Sequence, residues 1–487
     1  MENSGKRGPK KPKMQGKEIK NRERHRDERG GRSAPGDSRQ MRGGRSAPGD
    51  SRQMRGGRSA PGDSQQMRGG RRTAEAGGGV RGPRKNLDIR RGGVRLDDEG
   101  AWWVRAGHPW VYRKTLKHDA GSAAEGRGGG LMEVLDPRGR FVGRGYLCKG
   151  GAVAMRILST REAPRGAKGL VRMAVDEAVA IRESFLPADL TTYRLIHGEG
   201  EGLSGITVDR YGQYAVVTQY CEEAGFLIED ICEAIGERTG LEGIYLQKRF
   251  KPVSEKKQHS AASLIWGRKA EVEQIIHENG LKFYVDVRAP VSVGMFCDLR
   301  EARSKVYELA RNRRVVNCFS HTGSFSIYAA AAGAREVVSV DVSKKYLAWS
   351  KRNFNLNELD TDPHDFMASD ASTAMARLSK KGRGPYDLII LDPPTFSSGK
   401  EGFVLKTDYP DLLESALEIL EPGGLILACC NAVKISDDEF QRLISAGAVK
   451  AGRTLRILEK IGLPVDFPQV VGFREGAYLK AFLIAAF

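Results

Sequence analysis

Three aspartates carry the clearest chemical signal in this chain, because each follows a short apolar run that is typical of a buried β-strand. They are Asp341, Asp370 and Asp392, and between residues 281 and 487 such runs alternate with helical patterns. This alternation predicts an α/β domain with a mainly parallel sheet and helices on both faces. Ligands bind such sheets at the carboxyl ends of the strands, so we expect the three carboxylates to converge there.

The spacing of these acids suggests what they bind. Asp341 lies about twenty residues beyond the first strand–helix turn, where a carboxylate can accept hydrogen bonds from both hydroxyls of a ribose. Asp370 can accept one from an adenine amine. The turn itself contains Gly323, which allows backbone N–H groups to approach a cofactor closely, but it lacks a GxGxxG motif. This disfavours NAD and favours S-adenosylmethionine, which has no pyrophosphate, as the cofactor.

The segment Asp392-Pro393-Pro394-Thr395-Phe396 is the strongest single motif. A polar side chain and a proline-stiffened carbonyl can hold the edge of a nucleobase beside the methyl group of the cofactor, and Phe396 can stack on that base. A plain turn after a strand can also contain two prolines. The preceding strand and the two other acids in register favour the catalytic interpretation.

Composition excludes several protein classes. In 487 residues, 29% of them charged, no apolar run approaches the ~18 residues of a transmembrane helix. The segment from Met1 to Lys20 lacks the apolar core of a secretory signal. The 7 cysteines show no metal-binding spacing, which predicts reduced thiols, a cytoplasmic location and no bound metal.

The basic charge of the chain is concentrated in residues 1–86. This segment holds 24 of the 79 Lys and Arg residues but 9 of the 61 acids, and a 13-residue unit that begins at Gly30 recurs at Gly43 and Gly56. Without aromatic residues it cannot bury enough apolar surface to fold, so we predict a disordered low-complexity tail. Its arginines suit a flexible arm that contacts RNA phosphates, and a solubilising extension is the alternative.

Residues 87–160 contain short strands separated by turns, including one predicted at Trp102-Trp103-Val104, which favours a small β-barrel. The segments Gly107-His108-Pro109-Trp110-Val111, Gly143-Arg144-Gly145-Tyr146 and Ala154-Met155-Arg156-Ile157-Leu158 resemble a PUA domain, which is an RNA-binding barrel. This resemblance implies that His108 and Trp110 bind RNA, although on physical grounds alone packing explains both residues better.

Residues 165–280 predict a small α+β domain. The segment from Leu170 to Leu186 has helical spacing, with Arg182 expected on its solvated face, and two strands joined by a glycine-rich turn follow. This segment carries a charged cluster that consists of Arg194, Glu199, Asp209 and Arg210. One interpretation is that its two arginines contact RNA. The other is that internal ion pairs within the cluster fix the turn.

Residues 88–487 as a whole resemble the bacterial large-subunit (23S) rRNA methyltransferase I family. Members of this family consist of a PUA domain, a small middle domain and a Rossmann-like, class I S-adenosylmethionine-dependent methyltransferase domain, which we place at 281–487. The similar segments occur in the same order, at 294–300 (Gly-Met-Phe-Cys-Asp-Leu-Arg), 317–323 (Asn-Cys-Phe-Ser-His-Thr-Gly), 340–343, 392–394 and 475–480.

This resemblance implies that the chain transfers a methyl group from S-adenosylmethionine to a base of 23S ribosomal RNA, free or in a large-subunit assembly intermediate. It implies no membrane partner and allows a homodimer. The cofactor contacts that it implies are spread over several motifs and comprise Phe296, Asp298, Arg300, Asn317, Phe319, Ser320, Thr322, Gly323, Asp341, Asp370 and Asp392.

One departure from the family pattern affects the reaction. Methylation of cytosine C5 needs a cysteine nucleophile, because C5 becomes nucleophilic only after a thiolate adds to C6. The cysteine of the family follows the fifth strand, and its place is taken here by Asn431, directly after Cys429 and Cys430. Because neighbouring strand residues face opposite sides, Cys430 can serve only if the strand end shifts.

Guanine N7 is the other target that the sequence suggests. Asn431, the Tyr346-Leu347-Ala348-Trp349 segment and the Pro-Pro-Thr-Phe-Ser run after Asp392 resemble the guanine-N7 half of the methyltransferase K/L proteins. N7 carries its own lone pair, so its methylation needs positioning but no nucleophile. Both targets stay open at this level. A non-catalytic RNA-binding assembly factor is the alternative from another class, and the complete set of three acids counts against it.

Overall fold

A computed structural model of the protein describes residues 93–116, 130–250, 261–290, 292–395 and 403–487. The predicted tail at 1–86 lies outside the described residues, and so does Phe396. Predictions made for these parts therefore stay predictions. The described residues belong to one compact unit that spans Lys85 to Phe487.

The first part of the described chain forms a small mixed sheet. Its elements are β1 Val94–Arg95, α1 Asp98–Arg105, β2 Trp110–Tyr112, β3 Met132–Leu135, β4 Phe141–Leu147 and β5 Val153–Ser159. The strands lie in the order β1-β3-β4-β5-β2. An isolated bridge joins Leu96 to Leu116, which follow the strands at the two edges. The bridge brings these edges together, as in a small barrel.

The prediction of a strand at Trp102-Trp103-Val104 is wrong, because these residues belong to helix α1. Asp97 caps the helix, since its carboxylate accepts a hydrogen bond from the backbone N–H of Gly100 at 2.7 Å. Ala101 and Val104, three residues apart, face the core, whereas Trp102 is 60% exposed. Residues that favour strands therefore lie on the outer face of a helix that its N-terminal cap stabilises.

Helices and a second sheet form the middle part. Its elements are α2 Ala167–Phe185, β6 Thr192–His197, β7 Ile206–Tyr211, β8 Tyr214–Gln219, α3 Ile228–Thr239, β9 Gly243–Lys248, β10 Ser263–Gly267, β11 Gln274–Glu278 and β12 Leu281–Val285. The sheet has the strand order β10-β9-β8-β7-β6, and β11 pairs with β12 as a hairpin. Val171, Val175 and Ile235 of the two helices are buried in one core with the sheet.

Arg182 is not on a solvated face of α2, as predicted, but is buried. It pairs with Glu201 and donates to the backbone carbonyl oxygens of Arg194 and Asp466, at 2.9 and 2.7 Å. Helical periodicity could not indicate these partners, because they come from segments that are distant in sequence.

The last part is a doubly wound α/β domain, in which β13 pairs with β14 on one side and with β16 on the other. Its elements are α4 Arg300–Leu309, β13 Arg314–Cys318, α5 Ser324–Ala331, β14 Glu336–Asp341, α6 Lys344–Leu356, β15 Asp365–Ala368, α7 Ala371–Lys380, β16 Tyr386–Leu391, α8 Leu405–Ile419, β17 Leu420–Cys430, α9 Asp437–Ala451, β18 Leu455–Ile461 and β19 Lys480–Ala486.

The strand order of this sheet is β15-β14-β13-β16-β17-β19-β18. In the run β15-β14-β13-β16-β17, each strand is parallel to its neighbours. Strand β19 is antiparallel to both β17 and β18. The direction of winding reverses between β13 and β16. Their carboxyl ends therefore flank the switch point at which such sheets bind ligands.

Helix α8 contains a proline in its interior. It begins at Leu405 and continues through Pro410. Leu405 and Tyr409 are buried in the core, and this burial offsets the one backbone hydrogen bond that proline cannot donate.

The segment 462–479, which joins β18 to β19, reaches all three parts of the molecule, and we call it the connector. Phe473 packs against Trp110 of the first sheet, with 4.7 Å between the ring centroids. Asp466 is fully buried and accepts a hydrogen bond from the backbone N–H of Arg194, in the middle part, at 2.8 Å. The connector therefore ties the first and middle parts to the sheet of the third.

Two further observations concern the described chain as a whole. All seven cysteines lie in the described residues, and each is a free thiol. Among the helices in the described ranges, none has both the length and the apolarity that a membrane crossing requires.

Candidate active site

The carboxyl ends of neighbouring strands line one cavity, which we call the first cavity. Phe319 and Ser320 follow β13, Asp341 ends β14, Asp370 follows β15, and Asp392 follows β16. The volume of the cavity is about 580 Å³, a size typical of sites for small ligands. The three acids that the sequence singled out therefore lie in the wall of a single cavity.

Asp341 is held in place by two backbone N–H groups. Oδ1 accepts from Ser343 at 2.8 Å, and Oδ2 accepts from His321 at 2.9 Å. Burial raises the pKa of Asp341, and the two hydrogen bonds oppose this rise. Each carboxylate oxygen has a second lone pair, so the fixed carboxylate can still accept from the two hydroxyls of a ribose.

Asp370 has a structural role as well as a place in the cavity wall. It is the N-cap of α7, because Oδ1 accepts from the backbone N–H of Thr373 at 2.9 Å. The second oxygen can accept from an amine such as that of adenine. Pro393 and Pro394 line the cavity beside Asp392, where the motif predicted to hold a base begins.

Asp392 has a strongly raised pKa. Burial is the main cause and the negative charge of Asp298 adds to it, so that the pKa lies at about 7 although Arg303 opposes the rise. Asp298 itself accepts a hydrogen bond from the hydroxyl of Tyr478 at 3.0 Å. A cation bound beside Asp392 would stabilise its ionised form and lower this pKa.

His321 and Tyr346 line the first cavity but were not assigned to the cofactor from the sequence. The ring of His321 lies between those of Phe296 and Tyr346, with centroids 5.5 and 4.3 Å away. Burial lowers the pKa of His321 to about 4, so its imidazole is neutral near pH 7. Its Nε2 is buried and has no hydrogen-bond partner among the described residues. The available signal was the position of His321 in the turn after β13.

Four of the residues expected to contact the cofactor lie behind the lining of the first cavity. Asn317 donates from its amide to Ser326 of α5, Thr322 donates to the backbone carbonyl oxygen of Gly294, and Arg300 is paired with Asp466. Their contribution would therefore be to hold the lining in place. The fourth of these residues is Gly323, which precedes α5.

The residues of the first cavity fit S-adenosylmethionine. That molecule has ribose hydroxyls and cationic groups that carboxylates can bind, and an adenine ring that Phe296 and Tyr346 can pack against. The buried Nε2 of His321 would also gain a partner from a polar group of the cofactor. The donor and acceptor types present therefore agree with the cofactor expected from the sequence.

A second cavity, with a volume of about 790 Å³, adjoins the first. Phe296, Asp298 and Asn431 line both cavities, so the two meet at these residues. The remaining wall comes from the first sheet, the middle part and the connector. A nucleotide that approaches the first cavity through the second would therefore contact all three parts of the molecule.

The residues expected to bind RNA lie in different places. Trp110 and Arg194 line the second cavity, whereas His108 and Arg210 line neither cavity. His108 is buried, with Nδ1 2.9 Å from the backbone carbonyl oxygen of Trp110. Arg194 pairs with Asp209 at 2.7 Å, so the internal ion pair considered for this cluster is present.

Asn431 follows β17 and lies in the wall of both cavities. Thr395, next to the two prolines, donates a hydrogen bond from Oγ1 to Oδ1 of Asn431 at 3.0 Å. This contact leaves Nδ2 of the amide to donate. Cys429 and Cys430 are fully buried, burial raises the pKa of both thiols, and none of the described residues that line either cavity is a cysteine.

Models of two protein families match this chain. One, described as S-adenosylmethionine-dependent methyltransferase, matches residues 234–485, and one of a PUA-like domain matches residues 94–160. The first match begins inside the middle part and includes the whole doubly wound sheet. The second covers the small mixed sheet at the start of the described residues.

Relatives of known name match most of the chain. YwbD of Bacillus subtilis (strain 168), named as a candidate ribosomal RNA large subunit methyltransferase, is 31% identical over 386 residues, which are 78% of this chain and 96% of the relative. Ribosomal RNA large subunit methyltransferase I of Tolumonas auensis is 30% identical over 384 residues, 78% of this chain and 95% of the relative.

Two solved structures are similar over the same extent. A methyltransferase complexed with SAH has a TM-score of 0.72 and 26% identity, and the match covers 80% of this chain and 99% of that one. A SAM-dependent methyltransferase from Streptococcus mutans has a TM-score of 0.70 and 25% identity, with 80% of this chain and 100% of that one covered.

Proposed function

We propose that this chain, which belongs to the S-adenosylmethionine-dependent methyltransferase family, methylates N7 of a guanine in large-subunit ribosomal RNA. Its relatives of known name are ribosomal RNA large subunit methyltransferases, and this chain has a PUA-like domain at residues 94–160. The second cavity, between that domain and the cofactor site, supports a polymeric substrate. The basic segment at 1–86 supports a polyanion.

The observation that carries the choice of N7 over cytosine C5 is that, among the described residues at the junction of the cavities, there is an asparagine and no cysteine. Asn431 lies there, and the nearby thiols of Cys429 and Cys430 are buried with raised pKa values. A C5 mechanism needs a thiolate that reaches the base. Guanine N7 needs only a fixed position, because its lone pair is the nucleophile.

Asn431 is suited to hold the edge of guanine that carries N7. That edge presents two acceptors, N7 and O6, whereas the corresponding edge of adenine has a donor amine beside N7. Thr395 occupies the acceptor oxygen of the Asn431 amide, so Nδ2 can donate to O6. The amide would therefore favour guanine over adenine and leave N7 free to react.

S-adenosylmethionine, when bound, supplies an electrophilic methyl group attached to a sulfonium sulfur. The residues of the first cavity that would hold it are Asp341, through the ribose hydroxyls, and Asp370, through the adenine amine. Asp392 places a carboxylate where cationic charge is favoured. Pro393 and Pro394 stiffen the backbone beside the base, so the chain contributes orientation and electrostatic stabilisation rather than a covalent intermediate.

The test uses the whole chain with large-subunit rRNA, followed by mass spectrometry of the nucleosides. We expect 7-methylguanosine, and we expect Cys429→Ala and Cys430→Ala to keep activity within a few-fold. Asn431→Asp replaces the donating amine by an acceptor, which should lower kcat/KM at least about ten-fold, because one lost hydrogen bond plus a repulsive contact exceeds ~1.4 kcal/mol.

A different product would contradict the proposal in a recognisable way. Formation of 5-methylcytidine, together with loss of activity in Cys430→Ala but not in Cys429→Ala, would establish the covalent C5 mechanism instead. Comparison of rRNA from cells with and without the gene identifies the nucleotide. If the modification is present only in assembling subunits, the substrate is an assembly intermediate. The protein would then act in the cytoplasm, where ribosomes assemble.

A further inference from the structure

Glu199 lies in the wall of the second cavity with its two carboxylate oxygens in different surroundings. Four donors converge on Oε1. They are Trp110 Nε1, Arg156 Nη1, Ser204 Oγ and the backbone N–H of Gly205, at 3.0, 2.5, 2.9 and 3.1 Å. The carboxylate is therefore fixed by contacts from both the first sheet and the middle part.

The other oxygen of Glu199 is available to a ligand. Among the described residues, no hydrogen bond reaches Oε2. Thr207 and Arg156 also line this cavity, and Thr207 Oγ1 and Arg156 Nε lie buried beneath its surface without a partner in the described chain. A carboxylate oxygen that is held in the cavity wall and has no partner in the described chain can accept a hydrogen bond from a donor group of a ligand.

We propose that the second cavity binds the target guanine by the edge opposite N7, with Glu199 Oε2 accepting a hydrogen bond from the exocyclic N2 amine. The inference rests on the proposed function. If N7 and O6 face Asn431 at the junction of the two cavities, the donors N1–H and N2–H₂ point away from the junction, into the second cavity. A carboxylate acceptor matches this donor edge.

The same geometry explains why adenine would be rejected. Adenine placed with N7 at the junction would present the acceptor N1 and no amine to Glu199, and two acceptors repel each other. Trp110, whose ring lies 4.7 Å from that of Phe473, lines the same cavity and offers an aromatic surface for the base.

The substitution Glu199→Gln tests the contact with little change of shape. The carbonyl oxygen of glutamine can keep the bonds that Oε1 accepts, while its amine replaces Oε2 and cannot accept. A purely structural role would make this variant weaker on every substrate by the same factor. A recognition role makes the loss depend on whether the base has its N2 amine.

We therefore measure kcat/KM for wild type and Glu199→Gln with two RNA fragments that differ at the target nucleotide, one with guanosine and one with inosine, which lacks the N2 amine. In wild type, inosine should lower kcat/KM roughly ten-fold, the effect of one specific hydrogen bond to a base. In Glu199→Gln the two fragments should be equal. Such non-additivity is the signature of a direct contact.

The matched control is Glu237→Gln, on the outer surface of the middle part, where Glu237 pairs with Arg172 and both side chains are about half exposed. It should keep the full inosine effect. A third fragment with 2′-deoxyguanosine tests the ribose as the donor. If Glu199→Gln cancels the 2′-deoxy effect instead of the inosine effect, the cavity binds the sugar and the inference is wrong.

The remaining outcomes separate the inference from the proposed function. If wild type forms 7-methylguanosine but shows no inosine effect, or if the effect persists in Glu199→Gln, the role of Glu199 is refuted while the function stands. If wild type methylates another base or atom, the proposed function fails first. If the variant folds poorly, the wild-type comparison of guanosine with inosine still tests whether the N2 amine is recognised, and its absence alone refutes the inference.

Discussion

Burial in the wall of the first cavity raises the pKa of Asp392 from 3.8 to about 7, and the neighbouring Asp298 adds to the rise. Between these two pH values the folded chain retains a proton that the unfolded chain has lost. The contribution of Asp392 to stability therefore decreases as the pH rises from about 4 to about 7. This acid makes the folded state less stable at neutral pH, where a charged ligand needs it ionised.

The substitution Asp392→Asn should therefore stabilise the empty protein above pH 7 and abolish methyl transfer. We expect the free energy of unfolding at pH 8 to rise by about 2–4 kcal/mol, since each pKa unit corresponds to ~1.4 kcal/mol. At pH 4 the difference from wild type should vanish. Denaturant unfolding at both pH values measures this. The control Asp362→Asn, at an exposed aspartate, should change neither value, and equal stability of Asp392→Asn and wild type at pH 8 would refute the argument.

The turn between β13 and α5 packs closely against helix α6. Gly323 has a φ of 84°, and a Cβ atom added there would lie 2.0 Å from the hydroxyl oxygen of Ser350 in α6. The same turn contains Phe319 and Ser320, which line the first cavity. A side chain at Gly323 would therefore push the cofactor-binding turn away from the helix.

We expect Gly323→Ala to weaken cofactor binding at least about ten-fold and to lower stability. Gly382→Ala is the matched control, because Gly382 also has a positive φ, 60°, but open space around the position of its Cβ. Both variants should lose the ~1–2 kcal/mol that a left-handed residue costs. Only Gly323→Ala should lose affinity in calorimetry with S-adenosylmethionine. Equal affinities would mean that contact with α6 does not position the turn.

Elements whose patterns depend on local sequence were predicted well. The strands before Asp341 and Asp392 lie where the pattern predicted them, because apolar runs that alternate with helical patterns define such elements. The shared cavity of the three acids followed from the topology of parallel strands. By contrast, the short aromatic run at Trp102-Trp103-Val104 was ambiguous, and the Asp97 cap decided it in favour of a helix.

What could not be predicted depends on contacts between segments that are distant in sequence. Arg182 has partners that no helical pattern reveals, and His321 acquires its low pKa only when the surrounding chain buries it. The second cavity combines walls from the first sheet, the middle part and the connector, so Glu199 had no visible signal beyond its place in a charged cluster.

At the scale of the whole molecule, one carboxylate of the connector joins the middle part to the α/β domain. Asp466 is fully buried, pairs with Arg300 and accepts from the backbone N–H of Arg194 at 2.8 Å. The connector also approaches the middle part closely at Gly200, where an added Cβ atom would lie 2.1 Å from the backbone carbonyl oxygen of Pro468. The parts are therefore packed as one unit.

Replacing Asp466 with alanine should uncouple them. Arg300 would lose its buried partner and keep only the half-exposed Glu301 at 3.7 Å, and breaking such a buried pair costs about 3–5 kcal/mol of the free energy of unfolding. We expect scanning calorimetry of the full chain to show a lower first transition, followed by a separate one. The control Asp411→Ala breaks an exposed pair with Lys450 and should cost under about 1 kcal/mol. A single, barely shifted transition in Asp466→Ala would show that the parts do not depend on this contact.

The path of the connector also constrains how relatives of this protein can diverge. Tyr112 of the first sheet donates to Glu475 of the connector at 3.0 Å, and Tyr478, three residues further on, donates to Asp298 at the edge of the cofactor cavity. If the barrel were replaced by that of another protein, its residues would not match the contacts that the connector makes with the present barrel. Inheritance of a new barrel should therefore be accompanied by substitutions in 462–479, and the two regions should change together among descendants.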